Sequence, residues 1–128
     1  MNRLTKSWGD FLGEFKWNVF MTIHFYSNYS LSSSRSFMTK LFNRNKTNVN
    51  NMFFVSEFNN DFRGVHSHSL LEVKDLEKFK KKTHSVRGIG NILFCVGDDL
   101  IKTDDGKMNV GYYVSKFIDK GIDYEFLN

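Results

Sequence analysis

The chain has no proline, one cysteine and no long apolar run in its 128 residues. A single cysteine excludes an internal disulfide framework and fits a reducing compartment. Cys95 lies in the apolar run Ile92-Leu93-Phe94-Cys95-Val96, which favours a buried, inert thiol over a nucleophile. No stretch is long enough to span a bilayer, and the N-terminus lacks the apolar core of a signal peptide. The expectation is therefore a cytoplasmic protein with no secretion signal and no membrane partner. Repeats and flexible linkers are also missing, so residues 1–128 are read as one domain. The two matches to the glycosylation pattern, at Asn28 and Asn45, are chance matches in so Asn-rich a chain.

What is abundant is phenylalanine, with 14 residues, alongside many lysines and asparagines. That composition fits an AT-rich genome and weakens any argument from Lys or Phe counts alone. The net charge of +4 and pI near 9.2 favour an anionic partner such as nucleic acid only mildly. The clearest basic stretch runs over residues 74–87 and carries Lys78, Lys80, Lys81, Lys82 and Arg87. A solvated helix face explains it as well as a phosphate-contacting surface does.

Periodicity predicts a helix over residues 4–15, with Trp8, Phe11, Leu12 and Phe15 as its apolar set. Residues 17–26 form the best strand, apolar on both faces and therefore central. The serine cluster at 30–34 starts a helix whose stripe is Phe37, Met38, Leu41 and Phe42. Strands follow at 52–58 and 65–73, joined by the turn chemistry of Asn59 to Gly64. A helix over 74–82, a strand over 91–96 and a loop or short turn of helix over 97–107 come next. A helix over 109–120, with Val110, Val114, Phe117 and Ile118 inward, closes on Gly121, and residues 122–127 form a last strand. The order is α-β-α-β-β-α-β-α-β. It implies an α+β fold, a single antiparallel sheet of about five strands with helices packed on it.

Two segments carry chemistry. In Gly64-Val65-His66-Ser67-His68-Ser69, the two histidines are two apart on a strand and share one face. If the preceding turn centres between Asp61 and Phe62, antiparallel pairing places Glu57 opposite His66 on that face. A one-residue slip would turn Glu57 away, leaving Glu72 as a more distant substitute. Two imidazoles and a carboxylate suit Mn²⁺ well and Mg²⁺ acceptably. In Gly111-Tyr112-Tyr113-Val114-Ser115-Lys116-Phe117-Ile118-Asp119-Lys120-Gly121, helical spacing puts Tyr113, Lys116 and Lys120 on one polar flank. Tyr112 is rotated from it by about 100°. Each feature alone has a bland explanation: a satisfied strand histidine, a tyrosine at the core margin, a surface lysine.

Taken in order, these elements resemble the HUH endonucleases, and most closely the rolling-circle replication initiators (Rep proteins) of plasmids and small DNA viruses or phages. The strand Phe20-Met21-Thr22-Ile23-His24-Phe25, the Glu57 to His68 hairpin and the Tyr113-Val114-Ser115-Lys116 helix stand where that family has its three motifs. The resemblance covers residues 17–121. Ser67 departs from the usual bulky apolar residue between the histidines, and His24 stands where a threonine is usual. No helicase region follows.

The resemblance implies an RRM-related sandwich that nicks and joins single-stranded DNA. His66, His68 and Glu57 would hold the divalent cation. Tyr113 would attack to give a 5′-phosphotyrosine and a free 3′-hydroxyl. Lys116 would stabilise charge or help deprotonate the phenol. His24, Arg63, Lys120, Lys81, Lys82 and Arg87 are the expected DNA contacts, although His24 reads better as a core-edge side chain. The expected partners are single-stranded DNA at a replication origin, hairpin-forming or not, a host or separately encoded helicase and polymerase, and a second copy of the chain. The host compartment would be a prokaryotic cytoplasm. The competing readings are a single-tyrosine transposase or a relaxase of the same superfamily, and a non-catalytic nucleic-acid-binding α/β domain.

Overall fold

The structure is a computed structural model that describes residues 3–118 and 120–128. Asp119, within the expected closing helix, lies outside the described residues. The elements are α1 (Arg3–Leu12), β1 (Val19–Phe25), α2 (Leu31–Arg44), β2 (Val49–Phe58), β3 (Val65–Val73), α3 (Leu76–His84), β4 (Ile89–Val96), α4 (Val110–Tyr113) and β5 (Asp123–Leu127). The strands form one antiparallel sheet in the order β4-β1-β3-β2-β5. The expected α+β class and five strands are what the structure shows.

β1 and β3 occupy the middle because their residues can be buried on both faces. Val19 to Ile23 are all buried, and β3 exposes little beyond its partly buried His66 and Glu72. One face packs Val19, Met21, Ile23, Met52, Phe54 and Leu71 against Met38, Leu41 and Phe42 of α2 and Phe79 of α3. The other packs Phe20, Phe53 and Leu70 against Leu12 of α1, then Val114 and Ile118. Helices therefore cover both faces of the sheet.

The helix starts follow their capping residues. Ser30 accepts from the Ser33 N–H at 3.1 Å, and Asp75 from the Lys78 N–H at 3.1 Å. Asp75 makes α3 begin two residues later than the periodicity suggests. The closing helix differs most. Only Val110–Tyr113 is α-helical, and Val114–Ile118 winds as a π-helix. The segment expected as a loop or short turn of helix at 97–107 holds a short 3₁₀ turn at Gly97–Asp99, and an isolated bridge joins Lys102 to Met108.

Behind β3, Ser67 does not weaken the packing as its small size suggests. Its hydroxyl lies 2.8 Å from that of Ser34 on α2 and 2.7 Å from that of Ser56 on β2. Ser34 and Ser56 are themselves 3.0 Å apart. All three are fully buried, so a closed ring of hydroxyls ties α2 to the sheet directly behind the histidine pair.

Candidate metal centre

Alternation along three adjacent strands puts His24, His66 and Glu57 in one row across the sheet and Thr22, His68 and Val55 in the next. These side chains share the face that α1 and α4 cover only at its other end. Glu57 pairs directly with His66, the register the turn chemistry implies. Gly64 makes the turn possible. Its φ of +78° lies in the left-handed region, and a Cβ there would come within 2.8 Å of Asn28 Cα.

Glu57 Oε1 lies 2.7 Å from His66 Nε2 and 3.0 Å from His68 Nε2. One ligand atom from each of the three residues lies within 4.8 Å of the others, so the group could hold a metal ion. Glu72 takes no part; it accepts from Asn51 and Asn50 farther along the strand.

The outer partners fix the chemistry of His66. Asn59 donates through Nδ2 to the Arg63 carbonyl at 2.8 Å, which turns its Oδ1 toward His66 Nδ1, also at 2.8 Å. That oxygen can only accept, so Nδ1 carries a proton. With the proton on Nδ1 alone, the Nε2 lone pair faces a carboxylate oxygen. Two acceptors at this separation repel unless a proton or a cation stands between them. Thr22 Oγ1 takes the corresponding place on His68 Nδ1, at 2.9 Å. Such outer contacts orient metal-binding imidazoles. Burial lowers the His68 pKa from the ordinary 6.5 to about 4 against the opposing hydrogen bond and charge of Glu57, so this ring is neutral at pH 7.

Of the expected DNA contacts, His24, Arg63 and Lys120 line the same cleft as Glu57 and His66, an open space of about 880 Å³. His24 is exposed and stacks on the His66 ring at 4.9 Å, which corrects its reading as a core-edge side chain. Burial, then the neighbouring His66, lowers its pKa. Lys82 and Arg87 lie elsewhere, in a groove between α2 and the end of α3. Lys81 is exposed on α3. These three do not join the cleft, because α3 packs on the opposite face of the sheet.

The tyrosine helix is rotated relative to expectation. Tyr113 does not sit on a polar flank with Lys116; it is buried, with its ring 4.7 Å from that of Phe20. Its hydroxyl accepts from the Ile101 N–H at 3.0 Å, near the end of the sheet away from His66. Burial raises its pKa, with the Ile101 hydrogen bond opposing. Tyr112 is the exposed tyrosine, and Lys116 Nζ donates to its hydroxyl at 3.3 Å. The π-helical winding accounts for the change: Phe117 is the aromatic residue brought against His68, with ring centroids 4.1 Å apart.

Sequence reasoning missed Thr22, Asn59 and Phe117. The first two had a usable signal, Thr22 in the strand of the first motif and Asn59 at the start of the turn. Phe117 had none, because α-helical spacing assigns it to the stripe. Comparison of the chain with protein-family models, curated proteins and solved structures finds no match.

Proposed function

We propose that the protein is a metal-dependent endonuclease that nicks single-stranded DNA and rejoins it through a 5′-phosphotyrosine, in the manner of a rolling-circle replication initiator. The observation that carries this reading is the Glu57 oxygen facing two imidazole nitrogens at 2.7 and 3.0 Å, with Glu57 and His66 lining an open cleft and His68 buried beside them. Glu57, His66 and His68 would hold a Mn²⁺ or Mg²⁺ ion, which would supply positive charge to the scissile phosphate. Arg63 and Lys120 flank the place where that phosphate would lie and hold the strand by its charge.

Tyr113 is the proposed nucleophile. Its oxygen bonds to phosphorus as the P–O3′ bond breaks; the phenol proton leaves and the 3′-oxygen takes one up. The attack requires the hydroxyl to give up the Ile101 N–H. Tyr113 is followed directly by the π-helical stretch Val114–Ile118, a winding that recurs at functional sites. Lys116 then acts on the developing charge. Reversal by another 3′-end joins strands, because the phosphotyrosine conserves the phosphodiester energy.

One observation favours a second reading. Phe117, which has no hydroxyl, is the ring against His68, as in a metal-holding nucleic-acid module without catalysis. The two separate in one experiment. The protein is mixed with Mn²⁺ and a pool of single-stranded oligonucleotides and then denatured. A DNA adduct that survives denaturation supports the nickase; metal-dependent binding without an adduct supports the module.

A further inference from the structure

The face of the sheet opposite the metal centre carries its own cleft, a groove of about 1050 Å³ between α2 and the end of α3. Lys40 and Arg44 approach it from α2, and Lys82 and Arg87 from the α3 side. Serine hydroxyls, Ser36 and Ser85 among them, fill the spaces between, and no carboxylate among the described residues lines it. All four cations are exposed, and none joins an ion pair among the described residues. Helix dipoles explain Arg44 and Lys82, which lie in the last turns of α2 and α3. They do not explain Lys40 and Arg87, nor why all four converge. Four like charges around one groove repel each other unless an anion enters.

The groove also comes close to the metal cleft at one point. Asn28 lines the cleft and its neighbour Tyr29 lines the groove, so only the loop after β1 separates them. Tyr26, 84% exposed, stands on that loop. A polymer leaving the metal centre over this ridge would run directly between the lysines and arginines.

The geometry points to a second nucleic-acid site: the groove of Lys40, Arg44, Lys82 and Arg87 binds the phosphodiester backbone of the DNA arm that flanks the strand held at Glu57, His66 and His68. The inference rests on the nickase reading for the identity of the polymer. The contacts are to phosphates, so the groove adds affinity and register and reads no bases.

The test is equilibrium binding of a labelled DNA hairpin with a single-stranded tail, in chelator, between 50 and 200 mM salt. The proteins compared are the wild type, Lys40→Gln/Arg44→Gln, Lys82→Gln/Arg87→Gln and a control, Lys102→Gln/Lys107→Gln. Each groove pair should flatten the slope of log K against log salt by about 2, so that the affinity lost over this range shrinks roughly tenfold. The control pair should leave the slope near that of the wild type. Two groove pairs guard against one variant failing to fold. Unchanged slopes in both, or an equal change in the control, would overturn the inference. Displacement of the hairpin by millimolar inorganic phosphate would also overturn it, by showing a small-anion site. Failure of the nickase reading looks different: the wild type would form no adduct with Mn²⁺ while the binding slopes still depended on the groove.

Discussion

Replacing Ser67 by alanine probes the layer directly behind the metal ligands. Ser34, Ser56 and Ser67 form a ring with three O–H donors and three acceptors, closed at 2.7, 2.8 and 3.0 Å. Each hydroxyl donates once and accepts once. Ser67→Ala breaks two of the three bonds and leaves one buried hydroxyl proton without an acceptor. At about 1 kcal/mol per bond, the loss should be roughly 2 kcal/mol. Replacing all three serines by alanine strands no polar group and should cost no more than any one single replacement. Ser67→Val loses the same bonds and adds volume at a fully buried position, so its cost should be about 3 kcal/mol. Urea unfolding at constant m-value measures each loss. Mn²⁺ affinity should hold in Ser67→Ala, because the ring lies behind the sheet and the ligands lie in front. Single losses that simply add up to the triple loss would refute the closed ring.

Five further outcomes follow from the candidate metal ligands and the tyrosines. His66→Ala/His68→Ala should abolish Mn²⁺ binding by calorimetry while the protein still unfolds cooperatively. Asn59→Ala should weaken Mn²⁺ binding by about 10–100-fold through loss of the contact that orients His66, with the fold retained. Folded His68 has a pKa of about 4, lowered from 6.5 by burial, so its stabilising contribution is complete above pH 6.5 and falls away as the pH drops toward 4. In chelated protein the difference should reach roughly 3 kcal/mol, and denaturant titrations of His68→Gln should lack it. Tyr113→Phe should eliminate the adduct and cost about 1 kcal/mol by freeing the Ile101 N–H, whereas Tyr112→Phe should retain the adduct. Lys116→Ala should slow cleavage in single-turnover assays and leave Mn²⁺ affinity intact.

The cluster of Glu57, His66 and His68 was legible because it depends on strand alternation and one turn. Two histidines at a spacing of two must share a face, and the Asn59 to Gly64 turn fixes which residue of β2 meets His66. The sheet was legible for the same reason: β1 is apolar on both faces and could only be central. The tyrosine helix was not. Its stripe was read at 3.6 residues per turn, but Val114–Ile118 has a wider winding. That change turns Tyr113 inward, leaves Tyr112 with Lys116 and brings Phe117 to His68. The lysine-rich segment was legible only in part. Charge patterning finds a basic helix but not the face of the sheet it packs on, and Phe79 buries α3 on the side away from Glu57, His66 and His68.

The central claim is that a tyrosine captures DNA at the Glu57, His66 and His68 centre. The most direct test is peptide mapping, by mass spectrometry, of protein incubated with Mn²⁺ and single-stranded oligonucleotides. The account predicts one nucleotide-bearing peptide, modified at Tyr113, lost on chelation and lost in His66→Ala/His68→Ala. DNA attached to Tyr112 would contradict the assignment of the nucleophile, and no covalent product with any oligonucleotide would contradict the nickase itself.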